Sequence, residues 1–138
     1  EDDVCLSEDD EEAADGCGAR ARGNAVGPEG AERIAAALEQ SCSLTSLNLA
    51  NNSIGPHGTE SLAAALEAGG ALRSLDLTNN GVGYGAERLG KALEHNGTLL
   101  SLSLARNGIG PCGVARLAAA LERNAALVAL CLRSNRIE

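Results

Sequence analysis

Aromatic side chains are almost missing from this sequence. Tyr84 is the single one, and Phe, Trp and Met do not occur. A core without rings has to be filled by Leu and Ala. Ala fills space thinly, so the elements that bury it must sit close together. No apolar run approaches the length of a transmembrane helix, and no secretory signal is visible. Basic residues are absent from positions 1–15, which hold nine acids (Glu1, Asp2, Asp3, Glu8, Asp9, Asp10, Glu11, Glu12 and Asp15). Those acids account for the net charge of −8, because the remaining ten acids of the chain face eleven bases. A near-neutral body with an acidic tail offers nucleic acid no basic face. Neither nucleic acid nor a membrane is expected as a partner, whereas a basic partner would suit the tail.

Paired cysteines are missing as well. The five (Cys5, Cys17, Cys42, Cys112 and Cys131) are odd in number and scattered. That pattern reads as free thiols in a reducing compartment, hence a cytoplasmic protein. No C-x-x-C or His/Cys pair supports a zinc site, and no cofactor is expected.

What is present is a repeat. LTSLNLANNSIG begins at Leu44, LRSLDLTNNGVG at Leu72, LLSLSLARNGIG at Leu99 and LVALCLRSNRIE at Leu127. The starts are spaced by about 28 residues. The short step falls beside Tyr84, where Val82-Gly-Tyr-Gly85 lacks one residue relative to Ile54-Gly-Pro-His-Gly58. A damaged copy precedes these, with Gly16, Ala19 and Ala21 in its leucine slots. Residues 1–23 are read as an acidic, disordered tail. Residues 24–138 are read as about four repeats of 27–28 residues, the first degenerate and the last truncated.

Each column has a physical reason. Leu47 and Leu49 alternate with outward Ser46, Asn48 and Ala50, as a short strand requires. The column Asn24, Asn52, Asn80, Asn107, Asn135 falls where the chain leaves the strand. A buried amide there can bond the backbone of its own turn and of the next coil, and stacked copies form a ladder. Pro28, Pro56 and Pro111 then open helices at the position where a missing N–H does no harm. Ile34/Leu38, Leu62/Leu66, Leu89/Leu93 and Leu117/Leu121 are inward-facing pairs. Glu32, Arg33, Glu60, Glu87, Arg88 and Arg116 are placed on a solvated outer face. Neither strand nor helix buries its apolar side alone, so the units must stack. The fold expected is an α/β solenoid, a short horseshoe arc with parallel strands on the concave face and helices on the convex face.

The L-x-x-L-x-L-x-x-N runs at 44, 72, 99 and 127, joined to I-G-x-x-G and A-L-E segments, resemble the leucine-rich repeat family in its ribonuclease-inhibitor-like subtype. The resemblance covers roughly residues 24–138 and implies recognition of a partner on the concave face and adjoining loops. The subtype includes cytosolic binders of enzymes, innate-immune sensors and activators of a small GTPase. No local motif here matches the GTPase-activating residues of those activators, and Arg106 beside the asparagine column is not enough for one. The last strand is followed by no helix, which is read as an excerpt of a longer array, with a partner copy over the end as the alternative.

Other motifs reduce to the repeat. Gly108-Ile-Gly110-Pro-Cys-Gly113 is a literal G-x-G-x-x-G, but the second unit has Ser53 in that slot, so the glycines belong to the turn. Cys112 is assigned to a loop, His57 to a loop slot and His95 to a helix end, neither histidine with a carboxylate or nucleophile partner. Asn51-Asn-Ser53 and Asn96-Gly-Thr98 match a glycosylation pattern by accident. Ser7, followed by Glu8, Asp9 and Asp10, suits an acid-directed kinase. The expected function is a non-enzymatic protein-interaction scaffold. Asp76, Arg106 and Arg133 on or beside the concave face, with Tyr84 at the shortened loop, are the candidate partner-binding residues.

Overall fold

The computed structural model describes residues 18–20, 25–41 and 43–135. Strands and helices alternate: β1 (Gly18–Arg20), α1 (Gly27–Gln40), β2 (Ser46–Asn48), α2 (Gly55–Ala68), β3 (Ser74–Asp76), α3 (Gly85–His95), β4 (Ser101–Ser103), α4 (Pro111–Leu121) and β5 (Ala129–Cys131). All five strands form one parallel sheet in sequence order. Helices α1 to α4 pack on one another in the same succession. The result is the expected α/β solenoid arc.

Register follows the repeat. Leu47 pairs with Leu75, Leu75 with Leu102, and Leu102 with Leu130. Ala19 pairs with Leu47, so the damaged copy keeps the backbone ladder without a leucine. β1 thus lies inside the stretch read from sequence as tail, and the array begins before residue 24. Main-chain hydrogen bonds hold such a strand whatever its side chains. Ser7, Asn24, Cys42 and Ile137 lie outside the described residues.

The core is a stack of leucine rows. Leu44, Leu72 and Leu99 form one; Leu47, Leu75 and Leu102 another; Leu49, Leu77 and Leu104 a third. All are buried, each burial stabilising by roughly 1.5–3 kcal/mol. Ile54, Val82 and Ile109 close the row beneath the turns. The helices have no side-chain N-caps. Instead, Gly27 and Gly55, the first residues of α1 and α2, donate their N–H groups to the carbonyls of Asn52 and Asn80 at 2.9 and 2.8 Å. For these two helices the next coil does the capping, whereas the Gly85 N–H at the start of α3 bonds the Val82 carbonyl of its own coil at 2.8 Å.

Three sequence assignments change. Leu121 was paired inward with Leu117, yet it is 41% exposed, whereas Leu93 in the same column is fully buried. α4 covers Leu93, and among the described residues no helix covers Leu121. Cys112 and His57 are not in loops. Each lies in the first turn of a helix, α4 and α2, because Pro111 and Gly55 start those helices earlier than the loop spacing suggests.

Candidate functional site

The asparagine column is a hydrogen-bonded ladder, and it points backwards along the chain. The Asn80 Oδ1 accepts the N–H groups of Asn52 and Ile54 at 2.8 and 3.3 Å. The Asn107 Oδ1 does the same for Asn80 and Val82 at 2.7 and 3.2 Å, and that of Asn135 for Asn107 and Ile109 at 2.8 and 3.0 Å. The amide nitrogens donate to carbonyls of the preceding coil and of their own turn, as Asn107 Nδ2 does to Leu77 and Ala105. Each side chain satisfies groups of the preceding coil, not of the next. These residues are structural and hold the face that strands β2 to β5 present.

A second column of this kind was not singled out in the sequence. The Asn96 Oδ1 accepts from Thr98 and Leu99 at 3.0 and 2.8 Å, while its Nδ2 donates to the Leu66 carbonyl at 2.8 Å. Asn124 repeats the pattern on Ala126, Leu127 and Leu93. Ser41 supplies the acceptor half with its hydroxyl. Asn96 is buried, which removes it as a glycan acceptor in the folded chain.

On the strand face the outward residues are small and polar, and part of the middle is self-satisfied. Asp76 accepts the Thr78 N–H at 2.9 Å and the Thr78 hydroxyl at 2.6 Å, and that hydroxyl lies 2.9 Å from the Ser103 hydroxyl. Asp76 therefore braces its own turn. Ala50, expected on the open face, is buried, and so is Ala105 in the same column. A methyl group is too short to clear the flanking coils.

The margins of the face carry the protruding groups. One residue before each strand runs the row Thr45, Arg73, Leu100, Val128, linked through backbone bonds from Leu100 to Arg73 and from Val128 to Leu100, both 2.8 Å. Arg73 is exposed, Leu100 is 38% exposed and Val128 82%. Thr45, Arg73 and Leu100 border an open groove of about 520 Å³ with Gly70, Ala71, Gly97 and Thr98. At the other margin Arg106 and Arg133 sit on adjacent coils, the Arg106 N–H bonded to the Arg133 carbonyl at 2.9 Å, both side chains exposed. Arg106 takes a left-handed φ of 57°, as do Asn51, Asn79 and Ser134 in its column. Gly81 and Gly108 share this with Ser53 two residues on, so the first glycine of the G-x-G-x-x-G serves the turn, while Gly113 lies in α4 against Ile109 and Ala86.

Within the fold, comparison with known families decides the class. The model described as Leucine Rich repeat matches residues 40–63, 72–85 and 95–118. Leucine-rich repeats thus run through residues 40–118 of the chain. No curated protein matches it. Leucine-rich repeats are in general protein-interaction modules and typically non-enzymatic.

Of the candidate binding residues in this repeat array, Arg106 and Arg133 come together, while Tyr84 stands apart on the loop crest. Tyr84 is 60% exposed and meets His57 edge-on, with ring centroids 6.4 Å apart. His57 does have a carboxylate neighbour, Glu60, at 3.5 Å. α2 brings the two together three positions apart, a contact invisible while His57 was placed in a loop. Arg88 departs from the outer face assigned to it. Its guanidinium bridges from α3 to Glu67 of α2 at 2.6 Å, and both side chains are mostly covered. That hydrogen bond, with the nearby positive charge, holds the Glu67 carboxyl below the usual carboxylate range.

The residues that sequence reasoning missed are Arg73, Leu100 and Val128. The signal was in the doubled leucine Leu99-Leu100, since only one of the two can occupy the core row. Summing charge over the body also concealed its arrangement. Asp76 is the one acid on the described strands and turns; every other described acid lies on the helices or at the C-cap of α4. The exposed arginines Arg73, Arg106 and Arg133 all belong to the strand side.

Proposed function

We propose that this chain is a non-enzymatic scaffold that binds a partner protein along the margins of its strand face, in a reducing cytosolic setting and in the manner of ribonuclease-inhibitor-like repeats. The observation that carries this reading is the row Arg73–Leu100–Val128. It sets a cation and two solvent-facing apolar side chains on successive coils, Arg73 and Leu100 bordering an open groove. Apolar groups held out to water by a hydrogen-bonded sheet are ready for contact at little ordering cost. Arg106 and Arg133 supply a polar opposite rim, and Arg is enriched at binding hot spots. Asp76 is a brace of the face, and Tyr84 belongs to a neighbouring loop surface. A GTPase-activating arginine and a ligand-sensing receptor segment are the other readings the resemblance implies, and no constellation among the described residues favours either.

The test is capture from cytosolic extract with three baits: the full chain, the chain with Arg73→Glu, Leu100→Glu and Val128→Glu, and the chain with Lys91→Glu and Arg116→Glu on the helix side. Circular dichroism first establishes that all three are folded. Proteins retained by the first and third baits and lost from the second support the strand-face reading. Proteins retained by the second bait overturn it.

A further inference from the structure

Among the described side chains, three exposed arginines, Arg73, Arg106 and Arg133, belong to the strand side, opposite a helix side that holds all the described acids but Asp76, whose Oδ1 is already engaged by Thr78. The sequence carries one segment of the complementary chemistry. Glu8-Asp-Asp-Glu-Glu12 is an uninterrupted run of five carboxylates, preceded by the apolar Val4, Cys5 and Leu6. We propose that residues 4–12 dock on the strand face of their own chain, the carboxylates against Arg73, Arg106 and Arg133, and Val4–Leu6 against the Leu100–Val128 step.

Three arguments carry this. The first is reach. Residue 12 lies six positions before Gly18 and residue 6 lies twelve. At about 3.3 Å per extended residue these spans reach about 20 and about 40 Å. Strands about 4.8 Å apart place β3 about 10 Å and β5 about 19 Å from β1. The segment can therefore cover every arginine named without strain.

The second is charge. On the helix side eight described acids outnumber the five bases Arg33, Arg88, Lys91, Arg116 and Arg123, so the segment would meet net repulsion there. On the strand side arginine forks are free to meet carboxylates, a pairing stronger than ordinary hydrogen bonds. The third is the match of order. The apolar triplet precedes the acids, and Leu100 and Val128 are solvent-facing apolar side chains in the same row as Arg73. A segment seated there occupies the row assigned above to a partner. Phosphate on Ser7 would add negative charge toward the same arginines and tighten the contact. The inference does not rest on the partner reading, because its readout is contact within one chain.

The test uses the full chain with a nitroxide on Cys5, the other cysteines being replaced (Cys17→Ser, Cys42→Ser, Cys112→Ser, Cys131→Ala). The quantity measured is the loss of backbone amide signal caused by the label. The expected result is selective loss at Arg73, Leu100, Arg106, Val128 and Arg133, with Glu32, Lys91 and Arg116 spared. That loss should be relieved when Glu8→Gln, Asp9→Asn, Asp10→Asn, Glu11→Gln and Glu12→Gln are introduced together, and relieved by high salt, which screens exposed charges. Equal loss on the helix side overturns the proposal, as does loss that persists in the neutralised chain. Loss appearing only when labelled and isotope-enriched chains are mixed overturns it too, since it assigns the contact to a second copy. Should the cysteine replacements unfold the chain, amide shifts of the wild-type and neutralised chains with native cysteines decide. Differences must fall on the arginine rows, and their absence there overturns the proposal.

Discussion

The Asn80 side-chain oxygen accepts the backbone N–H of Asn52, 28 residues earlier, at 2.8 Å. Repeated down the column, this contact makes each coil the hydrogen-bond partner of the coil before it. Replacing Asn107 by Ala leaves the N–H groups of Asn80 and Val82 and the carbonyls of Leu77 and Ala105 without this partner. The cost should be about 3–5 kcal/mol, as several buried polar groups are involved. Urea unfolding of the Asn107→Ala chain measures it.

The Glu67–Arg88 bridge makes part of the stability depend on pH. A carboxyl whose pKa is lower folded than unfolded contributes fully above its unfolded value, and the contribution vanishes as pH falls through the folded value. Glu67 is such a group, through the Arg88 hydrogen bond. Urea midpoints of the parent chain should fall with acidification below the ordinary carboxylate range. Those of Glu67→Gln should fall less steeply, and the two curves should converge at low pH.

Leu93 and Leu121 occupy one column at opposite extremes of burial. Leu93→Ala opens a cavity in the stack and should cost about 2–5 kcal/mol. Leu121→Ala removes a side chain already partly in water and should cost about 1 kcal/mol. Chemical denaturation of the pair gives the contrast directly. Similar losses would mean that Leu121 is covered in solution.

Helix spacing is set where a Cβ does not fit. One added at Gly85 would meet the Pro56 carbonyl oxygen and the Thr59 Cβ, each at 3.0 Å, so α2 and α3 would have to part. Gly85→Ala should destabilise by about 1–3 kcal/mol. Gly97→Ala, with open space around its Cβ position, should be close to neutral. Thermal unfolding of both chains checks the difference.

The strand rows, the asparagine ladder and the helix positions were legible because each is a column at fixed spacing, and a column repeats its physical reason. What was not legible depends on single events across coils. Arg88 finds Glu67 because α2 and α3 lie close, and nothing in the spacing of either residue announces it. Asp76 was read as a partner-binding acid, whereas Thr78, two residues on in the same coil, engages it through its N–H and hydroxyl. The second asparagine column could have been read, since Ser41, Asn96 and Asn124 each stand three residues before a leucine row. Arg73, Leu100 and Val128 were not legible because they stand one residue before β3, β4 and β5, outside the in-and-out alternation of the strand itself. A charge sum of nearly zero described the body correctly in total and concealed that its two sides differ.

Gly69 breaks the second asparagine column. Its φ of 106° belongs to the left-handed region, so the residue that would brace Leu38 across the coil boundary is replaced by bare backbone. A void of about 10 Å³ opens there among Leu38, Ser41, Leu66 and Gly70. Leu38 keeps the Ser41 N–H of its own coil at 3.3 Å, as Leu66 keeps that of Gly69, but Leu66 has the Asn96 amide in addition. Mechanically, the joint between α1 and α2 is held without the cross-coil side-chain tie that Asn96 and Asn124 give the joints beyond it.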